Sequence, residues 1–267
     1  MSDALTLVRT GAVARLRLDR PALHNAFDAA LIATLTAALD AVGGDPDVRV
    51  VVLEGTGASF SAGADLNWMR SMAAASEADN REDAIALARL MRTLDELPKP
   101  TIARVHGAAF GGGVGLVACC DIAIGVPGAK FGLTESRLGL LPATIAPYVV
   151  AAIGTRNARR YFATAELFDA AQAQRIGLLH EVVEADALDA AVDRQIALLL
   201  KAGPNAAAGA KRLVRAVAAA TDRDLLDQDN ASLIAALRVS AEGQEGLTAF
   251  LEKRPATWAT SEKDAHV

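Results

Sequence analysis

The chain has 267 residues, a formal net charge of −5, 52% hydrophobic residues and 22% charged ones. That length buries a large core and the balance is that of a globular chain, while the acidic surplus argues against the broad basic face that nucleic acid or an anionic membrane requires. The only two cysteines, Cys119 and Cys120, are adjacent in an apolar stretch and read as reduced packing residues; His24, His106, His180 and His266 show no metal-ligand spacing, so no metal site is expected.

In chain order, Leu5 to Val8 and Val13 to Leu18 alternate apolar and polar residues around Thr10-Gly11 and predict a hairpin. Asp19 to Ala26 breaks that pattern. Asp28 then offers an N-cap to an alanine-rich helix through Val42, closed by Gly43-Gly44-Asp45-Pro46. Val48 to Leu53 predicts a central strand, and the small-residue loop Gly55 to Leu66 leads into a further helix with Asp65 near its start. Met72 to Asp83 reads as a mobile surface segment and Ala84 to Leu97 as a helix stopped by Pro98 and Pro100. Pro100 to Val105 and Ile122 to Gly125 predict buried strands on either side of a buried helix over Val114 to Cys120.

Strand, loop and helix thus recur at least three times, which predicts a stacked α/β core. From Pro142 onward the pattern is helical, with Ile176 to Val183 the one strand-like interruption. Gly203-Pro204 marks a boundary, giving a core over 1–202 and a helical section over 203–267, in which Lys211, Arg212 and Arg215 read as solvated surface. The start of the chain lacks a leader pattern and no apolar run approaches twenty residues, so a soluble, cytoplasmic protein is expected.

The chemistry is expected at Phe110 to Asp121, where Gly111-Gly112-Gly113 join a strand to a helix. The first helical turn has N–H groups without intrahelical acceptors, and the helix dipole adds positive charge there, so a developing oxyanion finds donors. Glycine leaves that backbone open to a ligand. Two other readings compete: a tight turn serving only helix packing, and a dinucleotide-binding loop. The second fits poorly, because Asp121 comes far too early for the ribose-binding acid expected about twenty residues on. No GxxxxGK[ST] loop and no GxSxG elbow occurs.

Three segments, Phe60 to Leu66, His106 to Gly113 and Phe131 to Glu135, resemble in order and separation the enoyl-CoA hydratase/isomerase (crotonase) family over nearly the whole chain. Asp65 to Arg70, Cys119 to Asp121 and Pro142 to Tyr148 are similar to the corresponding segments of bacterial methylglutaconyl-CoA and isohexenylglutaconyl-CoA hydratases. The resemblance implies an α/β fold, a crotonase-like spiral of ββα turns with a C-terminal helical oligomerisation section, assembled as a homotrimer or dimer of trimers. It implies an acyl-CoA thioester as substrate, with CoA part of that substrate and no separate cofactor, in fatty-acid or branched-chain amino-acid breakdown.

By the same resemblance the thioester oxygen lies between the backbone N–H groups of Ala64 and Gly112, and Glu135 moves the proton. Ala22, His24 and Ala26, with Ala62, Asp65 and Leu66, would line the CoA path, while Phe250 and Lys253 would reach a neighbouring subunit's CoA. Trp68 and Met69 would line the acyl pocket or pack beneath the segment that follows. Hydrating members use two glutamates; the second matches Glu135, and the first falls at Gly115, which cannot do acid or base work and is expected to leave a space opposite Glu135. Hydration of a branched or carboxylated 2-enoyl-CoA is the preferred reading. A Δ3,Δ2-enoyl-CoA isomerase using Glu135 alone and a weakly catalytic acyl-CoA binder are the alternatives. Arg137 would pair with Glu135, with another subunit or with a substrate carboxylate, a structural salt bridge being the default.

Overall fold

The computed structural model describes residues 4–259. Its strands are β1 (Leu5–Thr10), β2 (Val13–Leu18), β3 (Val50–Gly55), β4 (Ser59–Ser61), β5 (Thr101–Val105), β6 (Ala108–Phe110), β7 (Ile122–Gly125), β8 (Lys130–Gly132), β9 (Phe168–Asp169) and β10 (Glu181–Val182). Its helices are α1 (Ala29–Gly44), α2 (Leu66–Ala74), α3 (Glu77–Asp95), α4 (Gly112–Cys119), α5 (Ala146–Thr164), α6 (Ala170–Arg175), α7 (Leu188–Lys201), α8 (Pro204–Ala219), α9 (Arg223–Val239) and α10 (Ala241–Leu251).

The strands form a six-stranded sheet in the order β1-β2-β3-β5-β7-β10 and a four-stranded sheet in the order β4-β6-β8-β9. Among the described residues only β1–β2 and β8–β9 pair antiparallel. Successive units β3-β4, β5-β6 and β7-β8 each place their first strand in the larger sheet and their second in the smaller, then continue into helix. This is the expected spiral of ββα turns. Val50 to Leu53 is buried throughout, as a parallel strand covered on both faces must be. The step from one sheet to the other is tight: a Cβ on Gly107, between β5 and β6, would overlap the Ala58 carbonyl oxygen.

Several local expectations need correction. Met72 to Asp83 is helical except for the break at Ala75 and Ser76, because α2 runs to Ala74 and Ser76 and Asp79 form a capping box that starts α3 at Glu77, before Ala84. The polar composition there reflects one exposed helix face. Of Ile176 to Val183, only Glu181 and Val182 form a strand, beside β7; the preceding apolar residues Leu178 and Leu179 are buried as a turn after α6. Lys211 and Arg215 are not merely solvated: Lys211 Nζ lies 2.9 Å from Asp121 Oδ2, and Arg215 Nη1 lies 3.0 Å from Asp95 Oδ2, so α8 is ion-paired to the core. Cys119 and Cys120 are free and buried, and burial pushes the Cys120 thiol up to about 12. No helix of the described residues is long and apolar enough to cross a membrane.

Arg49 ties the start of β3 to the C-terminal region by donating to the carbonyls of Leu200 (2.9 Å), Ala202 (2.6 Å) and Trp258 (2.5 Å). Burial lowers its pKa, and Glu242 opposes that shift. Hydrogen bonds to a charged donor contribute more than neutral ones, so Arg49→Met is expected to cost about 2–3 kcal/mol, read as a lower urea midpoint with an unchanged slope.

Candidate active site

Three segments of the spiral converge, and each contributes one polar group. The first is the bend from β4 into α2. Phe27 N–H donates to Gly63 O (2.6 Å) and Asp65 N–H donates to Phe27 O (2.8 Å), a two-bond bridge that uses the backbone on both sides of Ala64. Within the described residues the Ala64 N–H has no acceptor, and Ala64 is exposed.

The second segment is the turn from β6 into α4. Gly111 adopts φ 47°, where a side chain is strained, and its N–H donates to Gly132 O (2.9 Å). Gly112, as the first residue of α4, has a free N–H for the reason any first helical residue does. The two bends touch. A Cβ on Gly63 would lie 2.8 Å from Phe110 O and 3.7 Å from Gly111 Cα, and one on Gly113 would lie 2.5 Å from Ser61 O.

Glu135 is the third contributor, opening the 3-10 turn Glu135–Leu138 after β8. Its Oε1 would lie 3.1 Å from a Cβ on Gly111, so the carboxylate faces the donor turn. Oε2 is buried with no hydrogen-bond partner within the described residues. Burial raises the carboxyl pKa, against the opposing effect of its own backbone N–H. Two unengaged amides therefore stand beside a desolvated acid with one free oxygen.

The other predicted residues divide into two groups. His24 O accepts from Ala62 N–H (2.9 Å), which sets the Ala22 to Ala26 loop alongside the Ala62 to Leu66 bend. Ala22, His24 and Leu66 are exposed there, whereas Ala26 is buried. The Asp65 carboxylate is already engaged, capping α2 through Asn67 N–H and Trp68 N–H, and its backbone N–H and carbonyl are engaged with Phe27 O and Met69 N–H, so it holds the bend in place and offers no free N–H to a ligand. Phe250 is 80% exposed on α10 and Lys253 follows it with φ 56°; no described hydrogen bond joins either to the convergence within one chain. Trp68 packs against the core and its indole N–H donates to Asp83 Oδ1 (3.1 Å). Arg137 is exposed and forms no ion pair among the described residues, which removes the structural salt bridge. The space expected at Gly115 is not there, because Ile145 and Met91 occupy it.

Sequence reasoning passed over two residues that hold the first bend in place. Asn25, fully buried with φ 55°, donates to Thr56 O (2.9 Å) and Ser59 O (2.8 Å) and accepts from Arg20 N–H (2.8 Å). Arg20 donates to Ala26 O (2.7 Å) and pairs with Asp28 (2.9 Å) and Asp65 (3.5 Å), the caps of α1 and α2. A signal existed, since asparagine tolerates the left-handed region that a tight loop needs. No group of three or more His, Cys, Asp or Glu side chains among the described residues could hold a metal ion.

Residues 9–261 match the family model described as enoyl-CoA hydratase/isomerase. The crystal structure of an enoyl-CoA hydratase from Shewanella pealeana superposes with a TM-score of 0.93 at 45% identity, covering 96% of each chain. A crotonyl-CoA hydratase of Syntrophomonas wolfei is 32% identical over 261 residues, 96% of this chain and 98% of the relative. A 2,3-dehydroadipyl-CoA hydratase of Escherichia coli is 31% identical over 251 residues, 94% of this chain and 96% of the relative.

Two stability changes are expected. Asn25→Ala leaves Arg20 N–H, Thr56 O and the buried Ser59 O without this partner and lowers stability by about 3 kcal/mol, measured by urea unfolding. Glu135→Gln acts in the opposite direction. Because the folded pKa of Glu135 exceeds its ordinary value of 4.5, the native state binds more protons than the unfolded chain between the two values, so stability falls as pH rises through that window. The glutamine variant lacks this loss, so its Tm relative to the wild type rises with pH through the same interval in paired calorimetric scans.

Proposed function

The chain belongs to the enoyl-CoA hydratase/isomerase family, and we propose that it is an enoyl-CoA hydratase acting on a branched or carboxylated 2-enoyl-CoA. The observation that carries this is the convergence of two unengaged amides, Ala64 and Gly112, with a buried carboxylate oxygen that has no partner. The thioester oxygen binds between the amides. As a water oxygen bonds to C3, the Glu135 carboxylate takes one water proton and the C2–C3 π electrons move to the thioester oxygen. The resulting enolate returns its electrons to C2, which takes the proton back from Glu135, so one water is added and the carboxylate is regenerated.

Fixed donors favour the enolate oxygen over the neutral carbonyl, and a desolvated acid gives up and takes a proton near neutral pH more readily than an ordinary glutamate. The carboxylated class is supported by the relative named for 2,3-dehydroadipyl-CoA, whose acyl chain ends in a carboxylate, and by the unpaired Arg137 near Glu135 in sequence. CoA is proposed to run past Ala22, His24, Ala26, Ala62, Asp65 and Leu66. The 203–267 section is proposed to mediate trimerisation, with Phe250 and Lys253 reaching a neighbour's CoA; exposed apolar residues such as Val214, Val239 and Leu251 support this.

A Δ3,Δ2-enoyl-CoA isomerase is the second reading, favoured by one observation: position 115 carries no acid and its surroundings are filled. There Glu135 would take a proton from C2 and return it at C4. The two reactions separate in the product, hydration removing the conjugated enoyl absorbance and isomerisation creating it.

Glu135→Gln is expected to lower turnover of methylglutaconyl-CoA by roughly a hundred- to ten-thousandfold while acyl-CoA still binds. In the wild type, kcat/KM should fall toward acid as the Glu135 carboxylate is protonated, with the midpoint above the ordinary 4.5. Full activity in the glutamine variant, or no turnover by the wild type across a panel of straight, branched and carboxylated enoyl-CoA thioesters, would remove the proposal.

A further inference from the structure

The wall behind the donor helix is closed by one side chain. Gly115 lies three residues after Gly112, nearly one turn along α4 and therefore on the same side of the helix. A Cβ at position 115 would overlap Ile145 Cγ2, and it would lie 2.9 Å from Ile145 Cβ and 3.3 Å from Met91 Cε. Because Ile145 Cβ itself obstructs the position, a rotamer change alone does not clear it, and a β-branched side chain has few rotamers to offer. The main chain would have to move.

Ile145 is 1% exposed and occupies the N-cap of α5, ten residues after Glu135. Between them the chain is pinned back on the acid's own backbone, since Leu140 N–H donates to Glu135 O (3.1 Å). The isoleucine is therefore a peg from the segment that carries the acid, seated in a hole in the helix that carries one of the oxyanion donors. Its setting is apolar: Met91 is the other side chain that a Cβ at position 115 would meet, and both Ile145 and Met91 belong to the buried hydrophobic core. Neither Ile145 nor Met91 carries an acid or base.

We infer that Ile145 is a specificity-determining residue: by filling the space above Gly115 it holds the site to a single proton-carrying group, Glu135, and excludes a second acid from the opposite wall. This rests on the hydratase reading and deepens it. A lone acid must both take the proton from water and deliver it to C2, whereas a second acid on α4 would share the task. The cost of the one-acid site falls on simple enoyl thioesters such as crotonyl-CoA, which carry no further polar group of their own.

The test compares wild type, Gly115→Ala, Gly115→Glu, Ile145→Gly and the double variant Gly115→Glu/Ile145→Gly, by calorimetry and by hydration of crotonyl-CoA across pH. Gly115→Ala adds only a Cβ and removes no core atom, so a lowered Tm isolates the overlap. The double variant should melt above Gly115→Glu and hydrate crotonyl-CoA with kcat/KM about tenfold or more above Ile145→Gly. The gain should lie in kcat, with a second acidic group in its pH profile, which restored packing would not produce. Wild-type melting of Gly115→Ala and Gly115→Glu overturns the steric claim. A double variant that melts higher but hydrates no faster than Ile145→Gly overturns the acid-count claim. A wild type that turns over no enoyl-CoA overturns the hydratase reading and the acid-count claim with it, while the melts still decide the steric claim.

Discussion

The site depends on the two-bond bridge between Phe27 and the bend Gly63 to Asp65. By engaging Gly63 O and Asp65 N–H it fixes the backbone on either side of Ala64 and leaves the N–H between them without an acceptor. A free amide is a poor choice for a folded chain in general, because unpaired backbone donors away from water are costly. Here exposure of Ala64 limits that cost, and Arg20 and Asn25 supply the rigidity by joining the loop before α1 to the carbonyls and caps around the bend. Geometry that is set before a ligand arrives needs no reorganisation when charge develops.

The glycines of the second turn serve space as much as conformation. Gly112 and Gly113 are crowded by Phe27 and Ser61 and Gly115 by Ile145, so a side chain at any of these positions would push α4 away from the elements that align it. Close approach of α4 to the first bend is what brings two amides from distant parts of the chain into one neighbourhood. The small, apolar composition of that helix is thus a packing requirement with a chemical consequence.

In the proposed hydration, Glu135 pulls stability and chemistry in opposite directions. Burial disfavours its ionised form, and Oε2 has no donor within the described residues to offset that. A surface glutamate would be cheaper for folding but would hold its proton too weakly to return it to carbon near neutral pH.

Much of the framework was readable from the residues alone, because local signals act over a few positions. The β1–β2 hairpin, the Asp28 cap of α1, strands β5 and β7 and the glycine-to-helix junction at Gly112 all follow from alternation, capping chemistry or backbone permissiveness, and the family resemblance singled out Glu135 and Ala64. Where composition alone was used it misled: the polar run Met72 to Asp83 is helix on both sides of a break at Ala75 and Ser76, because a helix needs only one apolar face, and Lys211 and Arg215 are paired to carboxylates more than 80 residues away in the chain. Gly115 shows the limit most clearly. A glycine in a sequence reads as vacant volume, yet whether that volume is empty depends on what another segment inserts into it, and Ile145, thirty residues later, fills it. Residue chemistry and short-range pattern are written along the chain; the contacts that decide which groups share a cavity arise only when remote segments pack.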